Sequence, residues 1–319
     1  MPGALVNHGQ SWPERATLLV LGSGFSGQRI AALASQQGAR VLTTRRLPDS
    51  DSDSDPNSTT SHPVLRFDSQ LGRIPTPDQL NGVTHVVSTI APERSGEDPV
   101  LRCLGNQLSA MQLQWVGYLS TTGVYGDRRG GWVSERDAPN PTQERSKRRL
   151  ECEQTWLNSG LPVQIIRLPG IYGPGRSPLR AILRGDVKPI DKPGQVFSRV
   201  HVDDIAGACL HLIDRASKGQ HPTVVNVCDD LPAPAADVQA YAAELLGQRL
   251  PPRRAYADAI ASMSPMARSF WAENRRVSNR LLCQTLGYQL LHPDFRSGMH
   301  DCWKREGFSA PEEEPSRED

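Results

Sequence analysis

The sequence predicts an α/β fold, a doubly wound parallel sheet with a smaller, mainly helical C-terminal lobe. Two observations carry this. Short apolar runs alternate with helix-like stretches from residue 16 onward, the pattern of parallel strands joined by crossover helices. A GxGxxG loop, Gly22, Gly24 and Gly27, stands between the first such run and the first helical stretch.

Taken in order, "ATLLVLG" reads as a buried strand, "GQRIAALASQQG" as a helix ended by Gly38, and "ARVLTTRR" as a second strand. Residues 48–62 are polar and rich in breakers, a surface loop by composition. "VLRFDS", "THVVSTIAP", "LQWVGYLST", "PVQIIRLP" and "TVVNVC" are the further short apolar runs. From Ser177 helical patterns dominate, in "VDDIAGACLHLIDRAS", "AADVQAYAAELLG" and "RVSNRLLCQTLG". The expected division is an N-terminal tail over 1–15, a dinucleotide-binding domain over 16–176, and a lobe over 177–307 interleaved with the sheet through a strand near 223–228. Residues 308–319, charged and poor in apolar side chains, read as a disordered tail.

Composition narrows the function. The 319 residues carry 36 basic and 35 acidic side chains, no strong field for nucleic acid or an anionic membrane, so a small-molecule partner is expected. No apolar run approaches the roughly 20 residues of a membrane-spanning helix. The six cysteines form no CxxC pair and the N-terminus shows no leader pattern, which points to the cytoplasm. Nothing in the composition fixes an oligomeric state.

The glycine loop makes the fold Rossmann-type and implies a dinucleotide. Gly22 permits the tight turn, Gly24 lets backbone approach a pyrophosphate, and Gly27 lets helix and strand pack closely. Amides around Ser23, Phe25 and Ser26 then face the phosphates. Where an acidic residue usually meets the adenosine ribose, the second strand ends in Arg45 and Arg46. Two guanidiniums suit a 2′-phosphate and favour NADP over NAD, unless they are simply a solvated surface pair.

Beyond the glycine loop, "LSTTGVYGD", "RLPGIYGPGR", "RVHVDDIAGA" and "LGYQLLHPDFRSGM" occur in order, and with them the chain resembles an atypical extended short-chain dehydrogenase/reductase of the NAD-dependent epimerase/dehydratase type. The resemblance runs from about Ala16 to Cys302. It implies that Thr121 is the catalytic hydroxyl, that Asp68 contacts the adenine, that the segment through Thr89 passes beneath the cofactor, and that Pro169 and Ile171 lie against the nicotinamide. Thr121 has an alternative as an ordinary strand-end hydroxyl bonded to backbone. His201, Asp203 and Asp204 offer metal-ligand types, but Asp203 and Asp204 read instead as the start of a helix, with Val202 and Ile205 packing inward. Arg199 could reach an anionic group on a substrate.

The family's tyrosine and lysine, four residues apart, are missing from "PTQERSKRRLECE" (141–153). Either Gln143 and Lys147 occupy the two slots, or Arg145 and Arg149 do. The second keeps the apolar period of Leu150, Cys152 and Trp156 and leaves Glu153 in the family's acidic slot. Neither glutamine nor arginine can shuttle a proton. Arg149 could still hold ribose hydroxyls and Arg145 could face an anionic substrate; Tyr125 and Tyr172 are candidate stand-ins for proton transfer, unless these VYG and IYG tyrosines, which the resemblance implies recur beside the usual one, are structural or shape the substrate pocket. Two functions follow from the resemblance: an NADP-dependent oxidoreductase or epimerase-like enzyme on a small anionic or sugar-derived substrate, or a non-catalytic NADP(H) sensor or partner-binding protein.

Overall fold

The computed structural model describes residues 16–46 and 62–309. The N-terminal tail, the expected loop over 48–62 apart from His62, and the chain after residue 309 lie outside the described residues.

Seven parallel strands form the main sheet. In chain order the elements of the fold begin with β1 (Thr17–Leu21), helix α1 (Phe25–Gln36), β2 (Arg40–Arg45), β3 (Val64–Arg66), β4 (His85–Ser88), α2 (Pro99–Ser109) and β5 (Trp115–Thr121). They continue through a short strand β6 (Trp132–Val133), α3 (Glu144–Leu157), β7 (Val163–Leu168), β8 (Gly170–Tyr172), α4 (Leu179–Leu183), β9 (Ile190–Asp191), β10 (Arg199–His201), α5 (Val202–Ser217) and β11 (Val224–Asn226). The spatial order β11-β7-β5-β4-β1-β2-β3 reverses direction at β1, the switch point at which α/β sheets bind ligands.

Alternation along each strand sends side chains to two cores. Leu18, Val20, Val87 and Leu119 face α1 and α5, while Leu19, Leu21, Val86 and Tyr118 face α2 and α3. The sheet is therefore covered on both sides, which is why its strands read as nearly continuous apolar runs. Among the described residues no helix is long and apolar enough to cross a membrane.

The remainder is α6 (Ala235–Leu245), β12 (Arg254–Ala255), α7 (Tyr256–Ala259), α8 (Pro265–Trp271), β13 (Arg276–Val277) and α9 (Phe295–Arg305). Helices α4, α6 and α9 enclose a separate core of Tyr172, Leu179, Val238, Phe295 and Met299.

Two expectations need correction. The stretch 202–217 is not lobe: α5 packs on α1 and the sheet, because Ile205, Ala206, Cys209 and Ile213 make it apolar toward that layer. "RVSNRLLCQTLG" is not one helix either. Arg276 and Val277 pair with β6, the Ser278 amide donates to Val133 O at 2.8 Å, and only a five-residue π-helical turn, Leu281–Thr285, remains.

Candidate functional site

A cleft of about 840 Å³ opens at the switch point, lined by Gly22, Ser23, Gly24, Arg45, Arg46 and the segment 90–95 among others. The three glycines divide the work there. Gly22 has φ +96°, and a Cβ on it would stand 2.6 Å from Thr89 Oγ1; a Cβ on Gly27 would stand 2.0 Å from Gly22 O. Only hydrogen fits at either position. Gly24 has open space where a Cβ would go, and as N-cap of α1 it offers no side chain to the helix amides. Those amides are left for a ligand, so the cradle fits a pyrophosphate.

The loop is held from behind. The Gly22 amide donates to Thr44 Oγ1 at 3.0 Å and the Ser23 amide to Thr44 O at 2.7 Å. Thr89 donates to Gly22 O at 2.7 Å, so its hydroxyl shapes the loop, while Ile90, Ala91 and Pro92 after it line the cleft. Sequence reading missed Thr44, since a threonine in a strand gives no signal of such a role. Phe25 sits against Gly173, with the Arg176 guanidinium 5.5 Å from its ring, and Ser26 is half-buried in the first turn of α1. Phe67, Ser69 and Gln70 also line the cleft; Asp68 between them spends Oδ1 on the amides of Gln70 and Leu71, at 2.9 and 3.2 Å.

At the other end of the site, Thr121 closes β5 beside Leu168 of β7. Its Oγ1 accepts from the Gly123 amide at 3.1 Å, capping the turn that follows. A Cβ on Gly123 would meet Thr121 Oγ1 at 3.3 Å and Ser146 Oγ at 2.7 Å, so both hydroxyls lie against this glycine. Ser146, buried on α3, was not singled out from sequence, although it lies one turn before Leu150 on the inward face. Pro169 and Ile171 follow β7; Ile171 packs against the core, and neither lines the cleft.

Helix α3 begins at Gln143, its N-cap, and Lys147 points outward to Glu144 at 2.7 Å. Arg149 turns toward the sheet, where Nη1 donates to Leu119 O at 3.0 Å and Tyr118 Oη at 3.3 Å. Arg145 is exposed, its guanidinium 4.3 Å from the Phe270 ring of α8. Glu153 is buried, accepting from Ser120 Oγ at 2.5 Å and from Arg167 through Nε at 3.1 Å and Nη2 at 2.7 Å.

Tyr125 does not join this face. It is fully buried, donates to Asn226 Oδ1 at 2.9 Å, and carries Arg167 over its ring at 4.8 Å. Burial pushes its phenol up, further from the range of an acid or base at neutral pH. The expected stand-in thus points into the fold, drawn there by an acceptor on β11.

The His201, Asp203, His292 and Asp301 donor atoms lie within 4.8 Å of one another. Arg29 grips Asp203 at 2.5 and 3.0 Å, and Arg305 bridges Asp203 and Asp301 at 2.9 and 3.1 Å. With both carboxylates neutralised by guanidiniums, the cluster fastens α9 to the start of α5. His201 is the N-cap of α5, accepting from the Asp203 amide. Arg199 is half-buried, its Nη1 bonded to Phe197 O and Ala233 O.

Against known families, the model of the NAD dependent epimerase/dehydratase family matches residues 18–228. The chain belongs to this family. The match spans the glycine loop and every strand of the main sheet, so this member is NAD(P)-binding by fold and by cradle. Protein YeeZ of Escherichia coli (strain K12) is 29% identical over 287 residues, covering 86% of this chain and 96% of its own. A conserved protein of unknown function from Silicibacter pomeroyi DSS has a similar structure: 41% identity, TM-score 0.80, 91% of this chain and 99% of that one. A candidate NAD-dependent epimerase/dehydratase of Methylobacillus flagellatus is 27% identical with TM-score 0.69, over 91% and 98% of the two chains.

Proposed function

We propose that this family member binds NADP(H) in the switch-point cleft and works without tyrosine-type proton transfer, as a dinucleotide-dependent sensor or partner-binding protein of the cytoplasm. One observation carries the cofactor choice: Arg45 and Arg46 line the same cleft as Gly22 and Gly24, at the end of β2 where the adenosine ribose falls. Two guanidiniums there complement a 2′-phosphate, and no carboxylate on β2 would receive a free ribose diol. The six thiols are unpaired, in keeping with a reducing compartment.

NADP(H), when bound, supplies hydride chemistry; this chain's residues hold its phosphates and ribose. Among the described residues, those expected at the acid/base position supply no proton donor to it. Tyr125 is interior, Arg149 is tied to Leu119, and Arg145 is a fixed cation. A second reading, an oxidoreductase or epimerase-like enzyme on a small anionic or sugar-derived substrate, is favoured by the Thr121 and Ser146 hydroxyls against Gly123. They could polarise a carbonyl while substrate or water supplies the proton.

Paired titrations with NADPH and NADH, followed by incubation of the NADPH complex with a metabolite extract, test both readings. Tighter NADPH binding with no cofactor oxidation supports the sensor. Oxidation that Thr121→Val abolishes favours the enzyme, and equal affinities remove the argument for NADP.

A further inference from the structure

A second cleft, about 750 Å³, opens at the β11 edge of the sheet and shares no lining residue with the dinucleotide cleft. It lies between β6, the chain after β11 and the turn that follows β13. Four carboxylates line it, Glu135, Asp137, Asp229 and Asp230, against the two exposed guanidiniums of Arg136 and Arg280.

Three of those carboxylates have partners. Asp137 accepts from the Ser134 amide and hydroxyl, both at 2.8 Å, Asp230 from Asn279 Nδ2 at 2.7 Å, and Glu135 from the Asn226 amide at 2.7 Å. Asp229 differs. It is 2% exposed, and neither carboxylate oxygen has a hydrogen-bond partner among the described residues. The amides of Leu231 and Arg199 favour its charged form from nearby without closing a hydrogen bond. The Arg199 guanidinium also acts on it through space, but spends Nη1 on two backbone carbonyls, at 2.8 and 2.9 Å.

A carboxyl in that position is disfavoured as an anion until a positive charge reaches it, and burial accordingly pushes it up to about 8. At the mouth of the cleft stands Trp132, 59% exposed, an aromatic face of the kind that covers organic cations. We propose that this cleft binds a small organic cation, an amine or guanidinium compound, with its charge held by Asp229, Glu135 and Asp230 and its apolar part under Trp132. The size is that of a small-molecule site, and no histidine or cysteine lines it to suit a transition metal. An anionic ligand would meet the excess of carboxylates. The inference stands apart from the dinucleotide reading, since it uses none of the same residues.

Other groups that feel the Asp229 charge are Arg199 on β10, Tyr172 on β8, and Cys228 and Asp230 beside it in the chain. Burial holds Tyr172 and Cys228 protonated through pH 7 to 9, and Arg199 stays charged.

The test is calorimetric titration of the full chain with n-butylguanidinium, which remains a cation throughout. Affinity should rise about tenfold from pH 7 to pH 9 as Asp229 ionises. At pH 7 binding should release a proton, visible as a heat that varies with the ionisation enthalpy of the buffer. Asp229→Asn should weaken binding at pH 9 about tenfold, abolish proton release, and leave NADPH affinity unchanged. No binding up to about 20 mM, a pH-independent affinity, or an Asp229→Asn variant that binds like the wild type overturns the proposal. Should that variant fail to fold, the pH dependence of the wild-type protein decides alone.

Discussion

The Tyr125 hydroxyl donates to Asn226 Oδ1 across 2.9 Å, joining the turn after β5 to the edge strand β11 inside the fold. Asn226 also receives support from Glu135 at its amide and gives Nδ2 to Ser278 O at 3.3 Å. Tyr125 is thus one member of a buried polar chain, and its removal should register as stability. Tyr125→Phe should cost about 1–2 kcal/mol in urea unfolding, since it leaves a buried acceptor unpaired, while NADPH affinity stays within twofold. A large loss of cofactor binding or turnover with unchanged stability would return Tyr125 to the chemistry.

Arg45→Ala combined with Arg46→Ala should weaken NADPH binding by at least about tenfold and leave NADH binding nearly constant. The difference should shrink in high salt, because Arg46 is exposed and its charge is screened. Fluorescence titration at two salt concentrations measures both. If the double variant binds the two cofactors as the parent does, the arginines are a solvated surface pair.

What sequence made legible was what depends on neighbours in sequence. Gly22, Gly24 and Gly27 act through one turn and one helix start, so their spacing is read locally, and the structure leaves no room for a Cβ at Gly22 or Gly27. The seven apolar runs likewise became the seven strands, because burial on both faces leaves little room for polar residues. Orientation was not legible where it is set from a distance. Tyr125 turns inward for Asn226, 101 residues away, and β13 forms at Arg276 and Val277 because β6 offers a partner. The same limit applies to α5, whose apolar face is equally consistent with a lobe or a sheet layer until α1 is in place.

Acid should destabilise the fold from pH 6.5 downward. Burial pushes His201 down to about 3, with the neighbouring charges of His292, Arg305 and Arg29 adding to the effect and Asp203 opposing it; burial also pushes His85 down to about 4. Both folded values lie below the unfolded value of about 6.5, so the unfolded chain binds more protons in this window. Stability is therefore fully present above pH 6.5 and declines as pH falls toward the folded values, by about 2 kcal/mol per histidine at pH 5. Urea unfolding at pH 7 and pH 5 should show the decline, and His201→Asn should remove about half of it, leaving the part due to His85, while keeping an acceptor for the Asp203 amide. A wild-type profile flat over this range would contradict the assignment.

The last prediction separates the two arginines of α3. Arg149 is half-buried and donates to Leu119 O and Tyr118 Oη, so Arg149→Ala removes two hydrogen bonds from the α3 side of β5 and should destabilise the protein by about 2 kcal/mol. Among the described residues Arg145 stacks its guanidinium on the exposed Phe270 ring, and Arg145→Ala should change stability by less than about 1 kcal/mol. Ligand binding should divide the other way. If Arg145 lies beside an anionic ligand, its loss weakens that ligand and spares NADPH, whereas Arg149→Lys, which keeps a charge but not the fork, should recover part of the stability and part of any cofactor affinity lost in Arg149→Ala. Measuring unfolding, NADPH affinity and binding of a carboxylate-bearing metabolite pool on the same three variants resolves the roles. Equal stability effects from Arg145 and Arg149 would mean that the α8 stacking anchors this helix as much as the contact with β5 does.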